Sequence, residues 1–412
     1  MTAPSAPPKT APSAVGRIVG IDLARLVAIV GMMAAHLIAP LGSDSGASSV
    51  DQALGKVIGA TVSSTSATTF AVLGGVSLVL LTRGMRDAST GRMLLSILLR
   101  GILIALIGTL LLPLDGPISV VLTYYGAAMI IAAPALLLPS WGIAIVVTVL
   151  WLFGGAFNAH VRAALAASLQ APGADAGAEI GGAVRDLLLT GHYPAITWVA
   201  YMLTGILIAR MLLAARAGGG LRALCSRLAI GGLAVYLLIT LAGRIVRMRP
   251  AWFSLPDLGE MMLSSGFGAP IGTDLWMLLI PTPHSGNPAD MLRTVAGACF
   301  VVGLLVGIFD ARSRSRGIAL QTVRAAGAAP LTVYTAHVVA TATLYNLAMA
   351  GTDGTGTPWY ARGTAVFLVQ LAGVLLIGLV LALLRRRGPL EALLGWLSGS
   401  SRARSTSAAV LP

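Results

Sequence analysis

The chain has 412 residues, of which 56% are hydrophobic and only 10% charged. Soluble domains carry about 25% charge, so this chain cannot cover itself with a polar surface; a soluble enzyme, a disordered chain and a fibre are excluded. The apolar stretches are long and continuous rather than alternating, which also excludes a transmembrane β-barrel and leaves an all-α polytopic bundle of lipid-spanning helices.

Residues 1–15 are rich in Pro, Ala, Ser and Thr, lack the parts of a secretory signal, and read as a disordered cytoplasmic tail. A span needs about 20 mostly apolar residues. Ten stretches qualify or come close: 18–40, 57–81, 93–112, 118–138, 141–158, 194–214, 224–243, 292–310, 329–350 and 363–384. One transmembrane domain is therefore expected over 16–387. A short amphipathic segment at 388–398, lying along the membrane surface, then opens a cytoplasmic tail that runs to 412.

The formal charge is +13, and the basic residues are placed as topology signals rather than as a nucleic-acid surface. Arg83/Arg86/Arg92, Arg210/Arg216/Arg222/Arg227, Arg312/Arg314/Arg316/Arg324 and Arg385/Arg386/Arg387 fall in alternate loops. Together with Lys9 and Arg17 they put both termini in the cytoplasm. Arg244, Arg247 and Arg249 fall on the external side, at the start of a Pro-rich loop over 244–291; a second long external loop covers 158–193. Gly303-x-x-x-Gly307 reads as a close helix contact, and Cys225 and Cys299 as buried free thiols. Lys9 and Lys56 are the only lysines, which with 49 glycines points to a GC-rich bacterial genome and a plasma (inner) membrane protein.

Charged groups inside a span are costly and face a polar cavity or a partner. The first span holds Asp22, Arg25 and His36. At about 100° per residue, Arg25 and His36 return to within about 20° of one direction, about 16 Å apart along the axis, and Asp22 lies within about 60° of them. These residues can line one polar groove, with Arg25 in the cytoplasmic half and His36 near the outer end. Arg25 suits the phosphates of a donor such as coenzyme A. Asp22 can orient it as an i, i+3 partner, and a neutral His36 can act as general base on an acceptor hydroxyl or amine. The same residues also read as an interfacial ion pair and an interfacial histidine.

The block Ile21-Asp22-Leu23-Ala24-Arg25, with His36 beyond it, resembles the first helix of the transmembrane acyltransferases. Within that superfamily the chain is most similar to the heparan-alpha-glucosaminide N-acetyltransferase-like bacterial membrane proteins. Supporting blocks are Phe70-Ala71-Val72-Leu73-Gly74-Gly75-Val76-Ser77, Gly191-His192-Tyr193-Pro194-Ala195-Ile196-Thr197-Trp198, Pro283-His284-Ser285-Gly286, Leu331-Thr332-Val333-Tyr334-Thr335-Ala336-His337 and Gly388-Pro389-Leu390-Glu391. The resemblance implies transfer of an acyl group, acetyl in the first instance, from cytoplasmic acyl-CoA to an extracytoplasmic sugar or lipid-linked glycan, with membrane lipid as the setting; the sequence has no zinc-ligand spacing, so no metal is expected. It implies a catalytic histidine at His36, supported by Arg25. Leu26 stands where a glycine commonly follows that arginine, and the loop after the first helix has no histidine.

Tyr334 and His337 share a face of the ninth span and can line the same cavity as His36; they read equally as helix-packing groups. His284, in a proline-flanked loop, is a candidate for acceptor contact or for the base itself, and also for a structural role. Asp274, Trp276 and the arginines 244, 247 and 249 are further acceptor candidates. His192 and Trp198 mark the start of the sixth span, where Trp is commonly an interface anchor, and His160 reads as interfacial. A transporter or lipid flippase fits the spans and intramembrane charges as well, and predicts transport without acyl-CoA consumption.

Overall fold

The computed structural model describes residues 17–85, 88–114, 116–169, 179–249, 262, 266, 268–270, 272–274, 276–310, 317–351 and 358–398. The expected N-terminal tail, Lys9, Arg86, the arginines 312, 314 and 316, and the end of the chain after Ser398 lie outside these residues. All regular structure among the described residues is helical. The helices are α1 (Val19–Leu37), α2 (Ser49–Thr61), α3 (Ser63–Arg83), α4 (Thr90–Leu111), α5 (Leu122–Ala132), α6 (Ser140–Leu169), α7 (Glu179–Arg185), α8 (Ala195–Ala217), α9 (Leu221–Arg247), α10 (Pro288–Phe309), α11 (Ile318–Gly327), α12 (Pro330–Gly351), α13 (Thr364–Leu384) and α14 (Pro389–Leu397).

Eight of them are long and apolar enough to cross a membrane: α1, α3, α4, α6, α8, α9, α10 and α13. The chain is a multi-pass helical membrane protein. Two of the expected spans fall outside this group. The apolar helix around α5 is short, covering Leu122–Leu137 with its 3-10 extension, and α12 carries Tyr334, His337, Thr341 and Asn346 along its length.

Helix α1 lies at the centre, touching α3, α10, α11, α12 and α13. Most of α1, α3 and α8 is buried, whereas little of α6, α9 and α13 is. Exposed Ile230, Leu238, Leu376 and Leu383 on these outer helices form the apolar surface that hydrocarbon covers. Close approach relies on glycine. A Cβ on Gly75 of α3 would collide with the Met202 carbonyl oxygen of α8, and one on Gly205 with the Val72 carbonyl oxygen. The Gly303/Gly307 pair is a close contact, as expected: Gly303 sits against the Ala229 and Cys225 backbone of α9, and Gly307 against the Cys225 side chain. Both cysteines are free thiols, Cys225 buried and Cys299 partly so.

Several boundaries differ from the sequence reading. The stretch 57–81 is not one span. Ser48 caps a separate α2, accepting from the Asp51 N–H, and a turn at Val62 precedes α3. The stretch before the ninth span, expected as loop, contains α11, packed on α1 and α13. The loop expected from residue 244 begins later, because α9 runs to Arg247 and takes Arg244 and Arg247 with it. Trp198 is not an interface anchor: it is buried between Tyr125 and Tyr193.

Candidate functional site

The first turns of α1 gather charge. Asp22 is buried and accepts from Arg25 Nη1 at 2.7 Å, the expected i, i+3 pair, and from Arg17 Nε at 2.5 Å. Arg25 also donates through Nη2 to Ser77 Oγ of α3 at 2.8 Å. These two bonds fix the guanidinium plane and use part of its five-donor fork. The start of α1 is held from elsewhere: Asp310, just past α10, accepts from the Val19 and Gly20 N–H groups at 2.8 and 2.6 Å.

At the other end of α1, His36 meets α12. His36 Nδ1 lies 3.1 Å from His337 Nε2. The rings are within 2° of parallel with centroids 5.4 Å apart. With the nitrogens so much closer than the centroids, the rings meet edge to edge through one hydrogen bond. His337 Nδ1 is 2.6 Å from Gln370 Oε1 of α13, and Gln370 Nε2 donates to Thr341 Oγ1 at 3.1 Å. His337 and Thr341 are buried and His36 is partly exposed. The structure thus joins two sequence candidates, His36 and His337, and adds two residues that the sequence did not single out, Gln370 and Thr341.

His284 sits in the loop that leads into α10. Its backbone is left-handed at φ 58°, and its carbonyl accepts from Gly268 N–H at 2.6 Å. Its ring meets Tyr193 edge-on at 5.6 Å. Burial, then the nearby Arg293 charge, pushes the His284 imidazole down to about 4, so it is neutral at pH 7. Arg293 and Asp290 form a buried pair on α10 at 2.8 Å, and Arg293 also donates to Ser64 of α3.

Between the two ends the expected groove is packed. The intervening turns of α1 carry Ile29, Met32 and Met33, all buried. Phe70, two turns along α3 from Ser77, stacks between Tyr125 at 5.1 Å and Tyr334 at 6.2 Å. Tyr334 is thus placed between the Arg25 and His36 ends, its hydroxyl accepting from Val121 N–H at 3.3 Å.

The remaining candidates are dispersed. Asp274 is exposed, and Trp276 packs in a separate apolar cluster with Met262, Ile280 and Val246. His192 lines a cavity of about 260 Å³ with Tyr124, Ser119, Val338 and Ala342. His160 is exposed, its ring bonded to the Ala156 carbonyl.

Residues 17–240, more than half of the chain, match the family described as "Heparan-alpha-glucosaminide N-acetyltransferase, catalytic". The match takes in Asp22, Arg25, His36 and Ser77, and stops before His284, His337 and Gln370. No curated protein matches the chain.

Proposed function

The chain belongs to the heparan-alpha-glucosaminide N-acetyltransferase catalytic family, a membrane acetyltransferase type, and from that premise we propose that it moves an acetyl group from cytoplasmic acetyl-CoA to an extracytoplasmic sugar or lipid-linked glycan. The observation that carries this reading is the arrangement on α1. One buried helix holds an oriented guanidinium at one end and, about 16 Å along its axis, an imidazole whose Nε2 has no hydrogen-bond partner among the described residues.

In this reading the protein sits in a bacterial plasma membrane with both termini cytoplasmic, α5 and α12 crossing with the eight longer helices. Arg25 faces the donor side and takes a coenzyme A phosphate on its remaining N–H groups, with Asp22 and Ser77 fixing its plane. The thioester reaches past Phe70, Tyr125 and Tyr334, whose rings turn aside to admit it. At the far end an acceptor hydroxyl or amine attacks the thioester carbonyl carbon while His36 Nε2 takes its proton. The carbon–sulfur bond then breaks, and the leaving thiolate recovers that proton from His36, so the products are acetylated acceptor and free coenzyme A. His284 and Tyr193 border the acceptor.

The test is mass spectrometry of envelope glycans and lipids from cells with and without the protein. Loss of an acetyl group, 42 Da by the chemistry of acetylation, from one glycan or glycolipid class is expected. Identical acetylation in both would overturn the reading.

A further inference from the structure

The hydrogen bonds around His36 determine which of its nitrogens is free, and they do so from α13. Two neutral imidazoles joined Nδ1 to Nε2 share one proton between those atoms, so one ring donates and the other accepts. The geometry alone of that pair leaves both choices open.

Gln370 closes the choice. Its carbonyl oxygen faces His337, its amide nitrogen donates to Thr341 Oγ1 at 3.1 Å, and that hydroxyl also lies 3.3 Å from both the carbonyl oxygen and His337 Nδ1. That oxygen, 2.6 Å from His337 Nδ1, can only accept, so Nδ1 carries the proton. His337 Nε2 is then a bare lone pair. The 3.1 Å bond to it is donated by His36 Nδ1–H, and His36 Nε2 is in turn left with its lone pair. A base needs that state at that atom. When Nε2 takes a proton, the resulting imidazolium still donates from Nδ1 to a neutral acceptor that is itself polarised by Gln370.

We infer that Gln370, with its carbonyl oxygen on His337 Nδ1 and His337 relaying the effect, is the positioning residue that sets the tautomer of His36 and keeps Nε2 as a free base. That the chain catalyses transfer through His36 rests on the function proposed above; the tautomer does not. Without the Gln370 carbonyl, His337 is free to protonate on Nε2, which would put the His36 proton on Nε2 and silence it. Geometry around α1 need not change.

The experiment is nitrogen NMR of ring-¹⁵N-histidine protein in nanodiscs, with the His36 signals assigned by their loss in His36→Asn. The wild-type protein is expected to show a protonated Nδ1 and an unprotonated Nε2 at His36. Gln370→Leu is expected to mix the two tautomers and to lower kcat about tenfold, with KM for acetyl-CoA unchanged. Gln370→Glu, which keeps an acceptor oxygen, restores both the tautomer and most of the rate lost in the leucine variant. A proton on His36 Nε2 in the wild-type protein would overturn the inference. So would an unchanged His36 tautomer in Gln370→Leu. If Gln370→Leu fails to fold, the wild-type and Gln370→Glu spectra still decide it. A His36→Ala protein that transfers acetyl groups at full rate would instead sink the proposed function and leave the tautomer assignment standing.

Discussion

His284 shows how one side chain links backbone, burial and pH. Gly268 and Gly286, both left-handed like His284 itself, give its loop a tight path, and the ring is pressed against Tyr193 near the Arg293 charge. Its ordinary value of 6.5 falls to about 4 in the folded protein. A depressed folded value means that the unfolded chain binds the proton more readily. The stability tied to this residue is therefore complete above about pH 6.5 and is lost as pH falls through about 4. The melting temperature in detergent should drop across that window. His284→Asn, whose side chain tolerates a left-handed backbone, should flatten the drop, and an equally steep drop in the variant would contradict this account. Among the residues of the site, spacing along a helix made the Asp22–Arg25 pair and the shared Tyr334/His337 face legible. The partners of His36 were harder to read, because His337 is 301 residues away and Gln370 lies on a third helix. Ser77 and Gln370 join the site through contacts that no local pattern encodes, and Arg17 through Asp22 five residues on.

At the scale of elements, three helices begin on carboxylates borrowed from distant segments. Asp310 takes the first N–H groups of α1. Asp51 takes Thr364 N–H at the start of α13. Glu391, on the terminal α14, accepts from Leu331 N–H, Thr332 N–H and the Thr332 hydroxyl at the start of α12. The opening N–H groups of a helix have no partner within it and carry partial positive charge, so a carboxylate there satisfies both. This explains why the segment after the last span is more than a surface strip: its Glu391 fixes the helix that presents His337. Glu391→Ala should cost about 1–2 kcal/mol and lower the midpoint of unfolding, with a smaller loss for Glu391→Gln. An unchanged midpoint in both would show that the cap is not stabilising. Apolar run length placed nearly all of the helices, since a membrane permits little else. It failed at α2, α7 and α11, whose lengths of 13, 7 and 10 residues are not set by the thickness of hydrocarbon.

For the molecule as a whole, α1 is the axis on which two different environments meet. Its first turns are anchored by Asp310 and by the Arg17–Asp22–Arg25–Ser77 network, and its last turn meets His337. Packed aromatic side chains, Phe70 with Tyr125 and Tyr334, lie between the two ends. The family is a membrane acetyltransferase type, and in the function proposed above α1 sets the direction of transfer. The most direct measurement uses sealed inverted membrane vesicles, with labelled acetyl-CoA supplied to the cytoplasmic face and label followed into the lumenal glycan and lipid fraction. The wild-type protein should transfer label, and His36→Ala, present in equal amount and folded, should fall by about 100-fold or more. Transfer by His36→Ala at the wild-type rate would contradict the account.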